Sequence, residues 1–420
     1  MRKLASVAAA IAALSFPAIT LADPLIDKRV ATVLAKTPLI DGHNDLPWAL
    51  REGFGSNWPD LSKNQPKLHT DIPRLRTGKI GGQFWSVWVP VSFKGDAAVT
   101  ATLEQIDAVK RLVATYPGTF ELAVTAADVR RIHKAGRIAS LLGVEGGHQI
   151  GNSLGALRQF QALGVRYMTL THTSTTDWAD SATDVPRHGG LTAFGEAVVR
   201  EMNRLGVLVD LSHVSPDAMT DALAVTRAPV IFSHQGAREL VDHPRNVSDE
   251  VLKRVAKNGG VVMVDFVPGY ISSAMANYNA SLAAERARYD APPYGGLYIG
   301  QPERAKAALA AWQAKNPPPL VTLKDVADHI DHIVRVAGVD HVGIGSDFDG
   351  ITDVPQGLEN VSTFPALFAE LAKRGWTDAD LAKLAGENIL RVMARAEAVA
   401  KNMTGEPATV ATATKADGSD

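Results

Sequence analysis

Short apolar runs rich in β-branched residues recur along the chain, and each is followed by a turn and then by a stretch with helical spacing. Eight such runs stand out, at residues 38–46, 82–90, 138–146, 165–172, 207–213, 229–234, 260–266 and 341–347. This alternation predicts βα units around a parallel sheet. Eight units in succession predict a closed (β/α)8 barrel, the α/β fold known as the TIM barrel.

Helix-period apolar positions occupy the stretches between these runs, at residues 97–116, 154–163, 193–205, 216–225 and 249–257. Between the seventh and eighth runs, residues 271–319 combine Ala-rich helical stretches with Pro-rich pieces. They predict an insertion near the barrel mouth, and whether it forms a lid stays open. Thr377 and Asp380 predict a capping box that opens a C-terminal helix through Met393, which we expect to cover the barrel.

The amino-acid composition limits the kinds of protein and of functional site that this chain can form. The chain has 420 residues, 46% hydrophobic and 21% charged, as is typical of a folded globular protein. Its formal charge is -2 and it lacks an internal basic run, so we expect no nucleic-acid partner. Cysteine is absent. Disulfides, thiolate ligands and a cysteine nucleophile are therefore excluded, and a metal would be held by histidines and carboxylates.

The two termini differ from the rest of the chain. Arg2 and Lys3 precede an apolar, Ala-rich stretch that ends in small residues before Asp23. This pattern predicts a signal peptide over residues 1–22 and an exported protein, periplasmic or secreted; the alternative, a membrane anchor, needs a longer apolar span. The predicted mature chain has no membrane anchor. We expect one domain over residues 23–400 and a disordered polar tail over 401–420.

Metal-binding and acidic side chains cluster where the predicted strands end. The carboxyl ends of the strands form the catalytic face of such a barrel. His43 and Asp45 are two positions apart on an extended segment, so both side chains should leave the same face and bind one ion. The full set of strand-end residues with this chemistry is His43, Asp45, Glu145, His172, His213, His234 and Asp347.

Five of these residues suffice for a pair of cations. Two divalent ions need about three protein ligands each, and a carboxylate that bridges them lets five residues make six bonds. We predict Glu145 as the bridge, His43 and Asp45 at one ion, and His213 and His234 at the other. This nitrogen and oxygen set suits two Zn²⁺ ions. A hydroxide shared between the ions would leave a net positive centre that polarises a carbonyl.

Spacing alone does not identify a ligand. His69 and Asp71 repeat the spacing of His43 and Asp45, but the residues that follow predict that Asp71 is a helix N-cap. Taken singly, each proposed ligand has an ordinary structural explanation, as a hydrogen-bonded core histidine or a surface carboxylate. The argument rests on five such residues at separate strand ends.

The remaining histidines divide into two groups. His329 and His332 lie one helical turn apart beside acidic residues, which predicts a solvated helix face. His148, His188 and His243 lie in predicted loops, and their spacing does not decide whether they approach the site.

Several motifs, taken together, resemble the membrane (renal) dipeptidase family. They are DGHNDLP at 41–47, GGQFW at 81–85, EGGH at 145–148, HVS at 213–215 and GSDFDG at 345–350, with His234 and Arg245 matching as well. They occur in the family's order, and the likeness runs from about residue 37 to 397. The resemblance implies a zinc dipeptidase of the amidohydrolase-like barrel type, with the same five metal ligands and Glu145 as the bridge.

The resemblance also implies roles that spacing does not assign. His172 would contact the scissile carbonyl or its tetrahedral intermediate, Arg245 would bind the terminal carboxylate of the substrate, and Asp347 would transfer protons. Animal members of the family carry disulfides and a lipid anchor. This chain has no cysteine, so it resembles the exported bacterial branch. Asp349 is interpreted as a turn residue rather than a second base.

The sequence therefore predicts a zinc dipeptidase that cleaves dipeptides with a free C-terminal carboxylate through a metal-bridging hydroxide. One alternative is a hydrolase of the same barrel class that acts on a β-lactam or an N-acyl amino acid. Another is a periplasmic binding protein that has lost its chemistry, against which the complete ligand set and Asp347 argue. The preferred side chains, the acceptance of D-residues, and the choice between monomer and homodimer stay open.

Overall fold

A parallel sheet forms the centre of the protein, and a computed structural model describes residues 23–290 and 296–408 of it. Strand β2 pairs with both β1 and β4, and the order continues through β9, β8, β7, β6 and β5 back to β4. Eight strands therefore close into the predicted barrel. The strands are β1 (Leu39–Asn44), β2 (Ile80–Trp88), β3 (Phe120–Leu122), β4 (Ile138–Glu145), β5 (Val165–Thr169), β6 (Leu208–Asp210), β7 (Ile231–Phe232), β8 (Val261–Val264) and β9 (Val342–Ile344).

Each predicted run overlaps one barrel strand, and only β2 begins outside its run, at Ile80, so the (β/α)8 fold is confirmed. Strand β3 was not predicted. It pairs in parallel with the first residues of β4, from Phe120 beside Ile138 to Leu122 beside Ser140. The closed ring does not include it, since β4 already has β2 and β5 as neighbours. A three-residue strand is too short to show alternation in the sequence.

Helices surround the barrel, and local signals explain where many of them begin. Helices α5 to α9 all start after a Thr or Ser whose side chain accepts a hydrogen bond from the first turn. The helices are α1 (Pro24–Lys36), α2 (Leu46–Phe54), α3 (Ile72–Thr77), α4 (Gly95–Thr115), α5 (Ala126–Lys134), α6 (Leu154–Ala162), α7 (Ala193–Leu205), α8 (Pro216–Val225), α9 (Asp249–Asn258), α10 (Pro268–Ile271), α11 (Ser273–Ala287), α12 (Pro302–Lys315), α13 (Leu323–Ala337), α14 (Phe364–Lys373), α15 (Asp378–Ala382) and α16 (Asn388–Asn402).

The predicted insertion lies between β8 and β9, the seventh and eighth strands of the barrel, and contains α11 and α12, while α10 ends where the insertion was predicted to begin. Every residue of α12 is at least partly exposed. No helix among the described residues is long and apolar enough to cross a bilayer.

The C-terminal helix covers the amino end of the barrel. The predicted capping box between Thr377 and Asp380 is present and opens α15, and one π-helical turn over Lys383–Glu387 then leads into α16. Side chains of α16 share an apolar cluster with Ile40 and Met263 of the barrel. Asn388 donates hydrogen bonds to the carbonyls of Val339 and Val342, where β9 begins. This helix therefore closes the end opposite the predicted catalytic face.

The predictions for the termini have different outcomes. The predicted signal peptide, residues 1–22, lies outside the described chain, so export stays a prediction from the sequence. The predicted disordered tail begins too early. Helix α16 continues to Asn402, Met403 is buried, and Glu406 forms an ion pair with Arg227. Residues from 409 onward again lie outside the described chain.

The prediction that His329 and His332 form a solvated helix face is wrong. Both lie on α13 and are buried, with 1% and 5% exposure. His329 Nδ1 accepts a hydrogen bond from the backbone of Ala237, and His332 Nε2 lies 2.6 Å from a carboxylate oxygen of Asp249. The neighbouring elements supply a polar partner to each ring, so a polar helix face can pack in the interior.

Candidate active site

The predicted ligands meet around Glu145, at the carboxyl end of β4. One carboxylate oxygen of Glu145, Oε2, lies 3.3 Å from Nε2 of His43. The other, Oε1, lies 3.0 Å from Nε2 of His213 and 3.5 Å from Nε2 of His234. Asp45 Oδ2 lies 3.2 Å from the same His43 nitrogen. The two oxygens of Glu145 thus face different histidines. His234 lies close to both, since its ring nitrogen groups with ligand atoms of His43 and Glu145 and also lies 2.9 Å from Nε2 of His213.

Asp45 reaches this centre for a reason other than the predicted one. Strand β1 ends at Asn44, and Asp45 begins α2 with φ -94° and ψ 16°, so it is not on an extended segment. The turn into the helix brings its carboxylate back toward His43. Gly350 leaves room for it, since a Cβ there would lie 2.4 Å from Asp45 Oδ2 and 2.7 Å from Asp347 Oδ1.

Tyr167, which sequence analysis missed, orients His43 from inside the barrel. Its hydroxyl lies 2.9 Å from His43 Nδ1 and donates a hydrogen bond to the carbonyl of Gly42. The hydroxyl oxygen therefore accepts a hydrogen bond from Nδ1–H of His43, which leaves Nε2 with a free lone pair for a metal. Gly143 makes space for the ring, because a Cβ there would lie 1.9 Å from Tyr167 Cζ.

Asp210 has a similar function for His234. The hydroxyl of Ser233 lies 2.9 Å from His234 Nδ1 and donates to Asp210 Oδ2 at 2.6 Å. Asp210 Oδ1 also accepts the backbone N–H of Ser233. This chain fixes the ring so that Nε2 points toward Glu145. An aspartate three residues before His213 was a signal that sequence analysis did not use.

The charges at the centre favour a cation. Burial alone would lower the pKa of His43, but Tyr167, Glu145 and Asp45 together raise it well above its usual value. Burial likewise would raise the pKa of Glu145, yet the charge of His43 and a hydrogen bond with His213 hold it well below the usual range. The carboxylates thus attract a positive charge. His43 Nε2 is buried and makes no hydrogen bond to a described residue, so a metal ligated by nitrogen and oxygen fits this position.

Asp347 and Asp349 lie on the loop after β9, both in left-handed conformation with φ 64° and 65°. Asp347 Oδ1 is 4.0 Å from His43 Nε2, and burial together with the nearby charge of Asp45 raises the pKa of Asp347 well above its usual value. Asp349 Oδ1 instead accepts a hydrogen bond from the backbone N–H of His69. Asp71 caps α3, as predicted.

A cavity of about 490 Å³ opens beside this centre, a volume suited to a small organic ligand. His172 lies in its wall, with Nε2 3.6 Å from Glu145 Oε1, and burial lowers the pKa of its imidazole. A neutral His172 therefore faces the space where a substrate would lie. Other wall residues include Trp48, Trp88, Val267, Tyr270, Ile351, Asp347 and Asp349.

Arg245 lies behind the cavity wall rather than in it. Its side chain is 1% exposed, and its guanidinium donates to Gln235 Oε1 at 2.7 Å and to the carbonyl of His234 at 3.3 Å. Tyr270 stacks on it, with the ring centroid 5.4 Å from the guanidinium carbon. Asp265 was missed, although it lies within the predicted run 260–266 and follows directly on strand β8. Burial raises its pKa to about 7 against the opposing charge of Arg245.

The loop histidines make other contacts. Nε2 of His148 lies 3.2 Å from the carbonyl of Val89, and Nε2 of His188 lies 3.0 Å from that of Thr176. His243 accepts a hydrogen bond from the backbone of Arg245. All three lie outside the cavity wall formed by the described residues.

Histidines and carboxylates at the carboxyl ends of a parallel eight-stranded barrel define a metal-dependent hydrolase of the TIM-barrel class. The chain belongs to the membrane dipeptidase family, Peptidase family M19, whose profile matches residues 27–407. The family resemblance predicted from the sequence motifs is thus confirmed, and the protein is a metallo-dipeptidase.

Solved structures agree with this assignment. The probable dipeptidase PvdM from Pseudomonas aeruginosa is 29% identical, with a TM-score of 0.76, and the match covers 89% of this chain and 99% of that one. A metallopeptidase from Rhodobacter sphaeroides, liganded with a phosphinate mimic of the dipeptide L-Ala-D-Ala, is 25% identical with a TM-score of 0.70. That match covers 86% of this chain and 99% of the other.

Proposed function

We propose that the protein is a zinc dipeptidase with two Zn²⁺ ions, one held by His43 and Asp45, the other by His213 and His234, and both by Glu145. The observation that carries this proposal is the division of the Glu145 carboxylate, whose oxygens lie 3.3 Å from His43 and 3.0 Å from His213. Bound zinc ions would lower the pKa of a water molecule shared between them, generating the hydroxide nucleophile, and would polarise the peptide carbonyl.

The side chains around the cavity would then act on the dipeptide itself. His172, neutral and in the cavity wall, is placed to donate a hydrogen bond to the carbonyl oxygen as negative charge develops there. Asp347 would accept the proton of the attacking water and pass it to the leaving amine. Its raised pKa suits a group that must hold a proton between these two steps.

Metal analysis with activity measurements tests the proposal. The purified protein should contain about two zinc equivalents, and removing them with a chelator should lower dipeptide hydrolysis at least about a thousandfold, with recovery on adding zinc. L,L- and L,D-dipeptides belong in the panel, since the Rhodobacter sphaeroides enzyme binds a mimic of L-Ala-D-Ala. A protein that lacks the two zinc equivalents and chelator-sensitive hydrolysis of every dipeptide would contradict the proposal.

Arg245 is proposed to bind the free carboxylate of the substrate, because its planar fork matches a carboxylate. Tyr270, which stacks on Arg245, lies in the cavity wall, so a small displacement of this ring would expose the guanidinium. We expect Arg245→Ala to lower kcat/KM about a hundredfold for dipeptides with a free C-terminus. Dipeptide amides, which lack the negative charge, should lose less than about tenfold.

The milder Arg245→Lys variant controls for misfolding, since it keeps the charge of this buried side chain but lacks the fork. Thermal unfolding followed by circular dichroism shows whether each variant is folded. Equal losses of kcat/KM on acids and amides in folded variants would reject the carboxylate-binding role.

A further inference from the structure

A second cavity lies at the amino end of the barrel, opposite the metal centre, and we call it the basal cleft. Its volume is about 650 Å³. Helices α1, α3 and α5 end around it, and strands β1, β2 and β4 begin there. Six of the twelve described residues that line it are cationic, and none is Asp or Glu. The cations are Lys36, Arg76, Lys79, Arg130, Lys134 and Arg137.

Carboxylates neutralise only two of these cations. Arg130 binds Glu387 through both terminal nitrogens, and Arg137 forms an ion pair with Glu121. Arg76 donates to the backbone carbonyl of Gly136. In the described chain, Arg76 and the three lysines of the cleft form no ion pair. Four positive charges therefore meet in a protein whose 43 basic and 45 acidic residues are otherwise nearly balanced.

The dipoles of the helices that end at the cleft offset part of this positive charge. Lysines and arginines often lie at helix C-termini, and each terminus carries about half a negative charge. Three termini would offset roughly one and a half of the four unpaired positive charges, which leaves a net excess of more than two. His133 adds nothing to the excess, because burial lowers the pKa of its imidazole.

The backbone conformation of Lys79 is a second indication that this side chain has a binding function. Its φ of 61° lies in the left-handed region, where glycine is preferred. The neighbouring glycine, Gly78, has an ordinary helical φ of -71°. It is needed for packing, since a Cβ there would lie 1.8 Å from the carbonyl oxygen of Val361. The chain thus has an exposed lysine in the lining of the cleft, at a position where the local conformation would favour a glycine or asparagine.

We propose that the basal cleft binds a multiply charged phosphorylated anion. A phosphate monoester carries about 1.5 to 2 negative charges at neutral pH, so one or two phosphoryl groups would offset the excess. Arginine offers a fork and lysine a point charge, both of which suit phosphate oxygens. The volume fits an organic ligand of ordinary size. A free organic phosphate and a phosphorylated lipid headgroup share this chemistry. The cleft is separate from the metal centre, so the proposal does not depend on the proposed function.

Calorimetric titration of the zinc-loaded protein with inorganic pyrophosphate tests the proposal. The variant Lys36→Gln/Lys79→Asn/Lys134→Gln removes three charges, and asparagine tolerates the left-handed φ of residue 79. We expect it to bind pyrophosphate at least about tenfold more weakly, with a smaller dependence on salt. The control is Lys253→Gln/Lys257→Gln/Lys373→Gln, which removes the same charge from exposed positions outside the cleft and should bind as the wild type does.

Two results would overturn the proposal. If pyrophosphate binding weakened equally in both triple variants, the effect would depend only on net charge. If the cleft variant bound pyrophosphate as the wild type does, the anion would bind elsewhere, for example at the metal centre. Cosedimentation with vesicles that contain phosphatidic acid, whose headgroup is a phosphate monoester, then distinguishes the sources. Vesicle binding that pyrophosphate displaces and the cleft variant loses indicates a lipid phosphate. Pyrophosphate binding without vesicle binding indicates a free phosphate.

Discussion

Glu145→Gln is expected to lower kcat/KM for dipeptides about a thousandfold or more and to reduce the zinc content from about two to about one equivalent. Glutamine keeps the shape of the side chain but replaces one oxygen by an NH2 group, which cannot bind a metal. In the structure the two carboxylate oxygens face different donor groups, His43 on one side and His213 with His234 on the other. One oxygen cannot serve both.

Zinc analysis after dialysis and steady-state kinetics measure the two effects together. Glu104→Gln is the matched control, since it makes the same chemical change at an exposed carboxylate that pairs with Arg51. It should keep both metals and nearly full activity. If Glu145→Gln retained two zinc equivalents and activity within about threefold of the wild type, the bridging role of Glu145 would be wrong.

The second large effect is expected from Asp347→Asn, which should lower kcat by a factor of about 10² to 10⁴ while KM and zinc content change little. Asparagine has the same shape as aspartate and tolerates the φ of 64° at this position, so the loop should keep its conformation. It cannot accept or deliver the proton. The loss should therefore appear in the chemical step, and zinc analysis should exclude loss of the metals as its cause.

Asp349→Asn provides the comparison, since it makes the same change two residues away at nearly the same φ. An asparagine Oδ1 can still accept the hydrogen bond that the backbone of His69 donates to Asp349. We expect its kcat to fall less than about tenfold. Equal losses in the two variants would mean that the loop as a whole is sensitive to these changes, and that Asp347 has no special role in proton transfer.

Much of the site could be predicted because the fold orders it. In a parallel barrel all strands run the same way, so residues that follow strands far apart in the sequence gather at one end. This rule alone was enough to predict that His43, Glu145, His213 and His234 lie at the site. Asp45 was found for the wrong local reason, since it lies in a turn rather than on a strand. The error did not affect the prediction, because the carboxylate of Asp45 lies near the same place whether the residue is on a strand or in the turn after it.

Residues that orient a metal-binding side chain, rather than bind the metal themselves, were harder to predict. Tyr167 lies within β5 and has the pattern of a core aromatic residue, and only its contact with His43 reveals a role at the metal centre. The error at His329 and His332 had the opposite form, since their sequence pattern indicated solvent exposure and the structure buries them. Their neighbours along the helix are acidic, but packing against Ala237 and Asp249 buries them with polar partners. Local periodicity does not report what a polar helix face packs against.

The alternation of strands and helices, the family motifs and the ligand types can be predicted from the amino-acid order, because these depend on residues close together in the chain. Three features depend on residues far apart in the chain and emerge only when it is folded: which oxygen of Glu145 faces which histidine, the position of Arg245 behind the cavity wall, and the cleft at the amino end that collects unpaired cations. Those cations come from three short segments, none of which is a basic run. Their charges meet because a closed barrel brings together the starts of its strands as it does their ends.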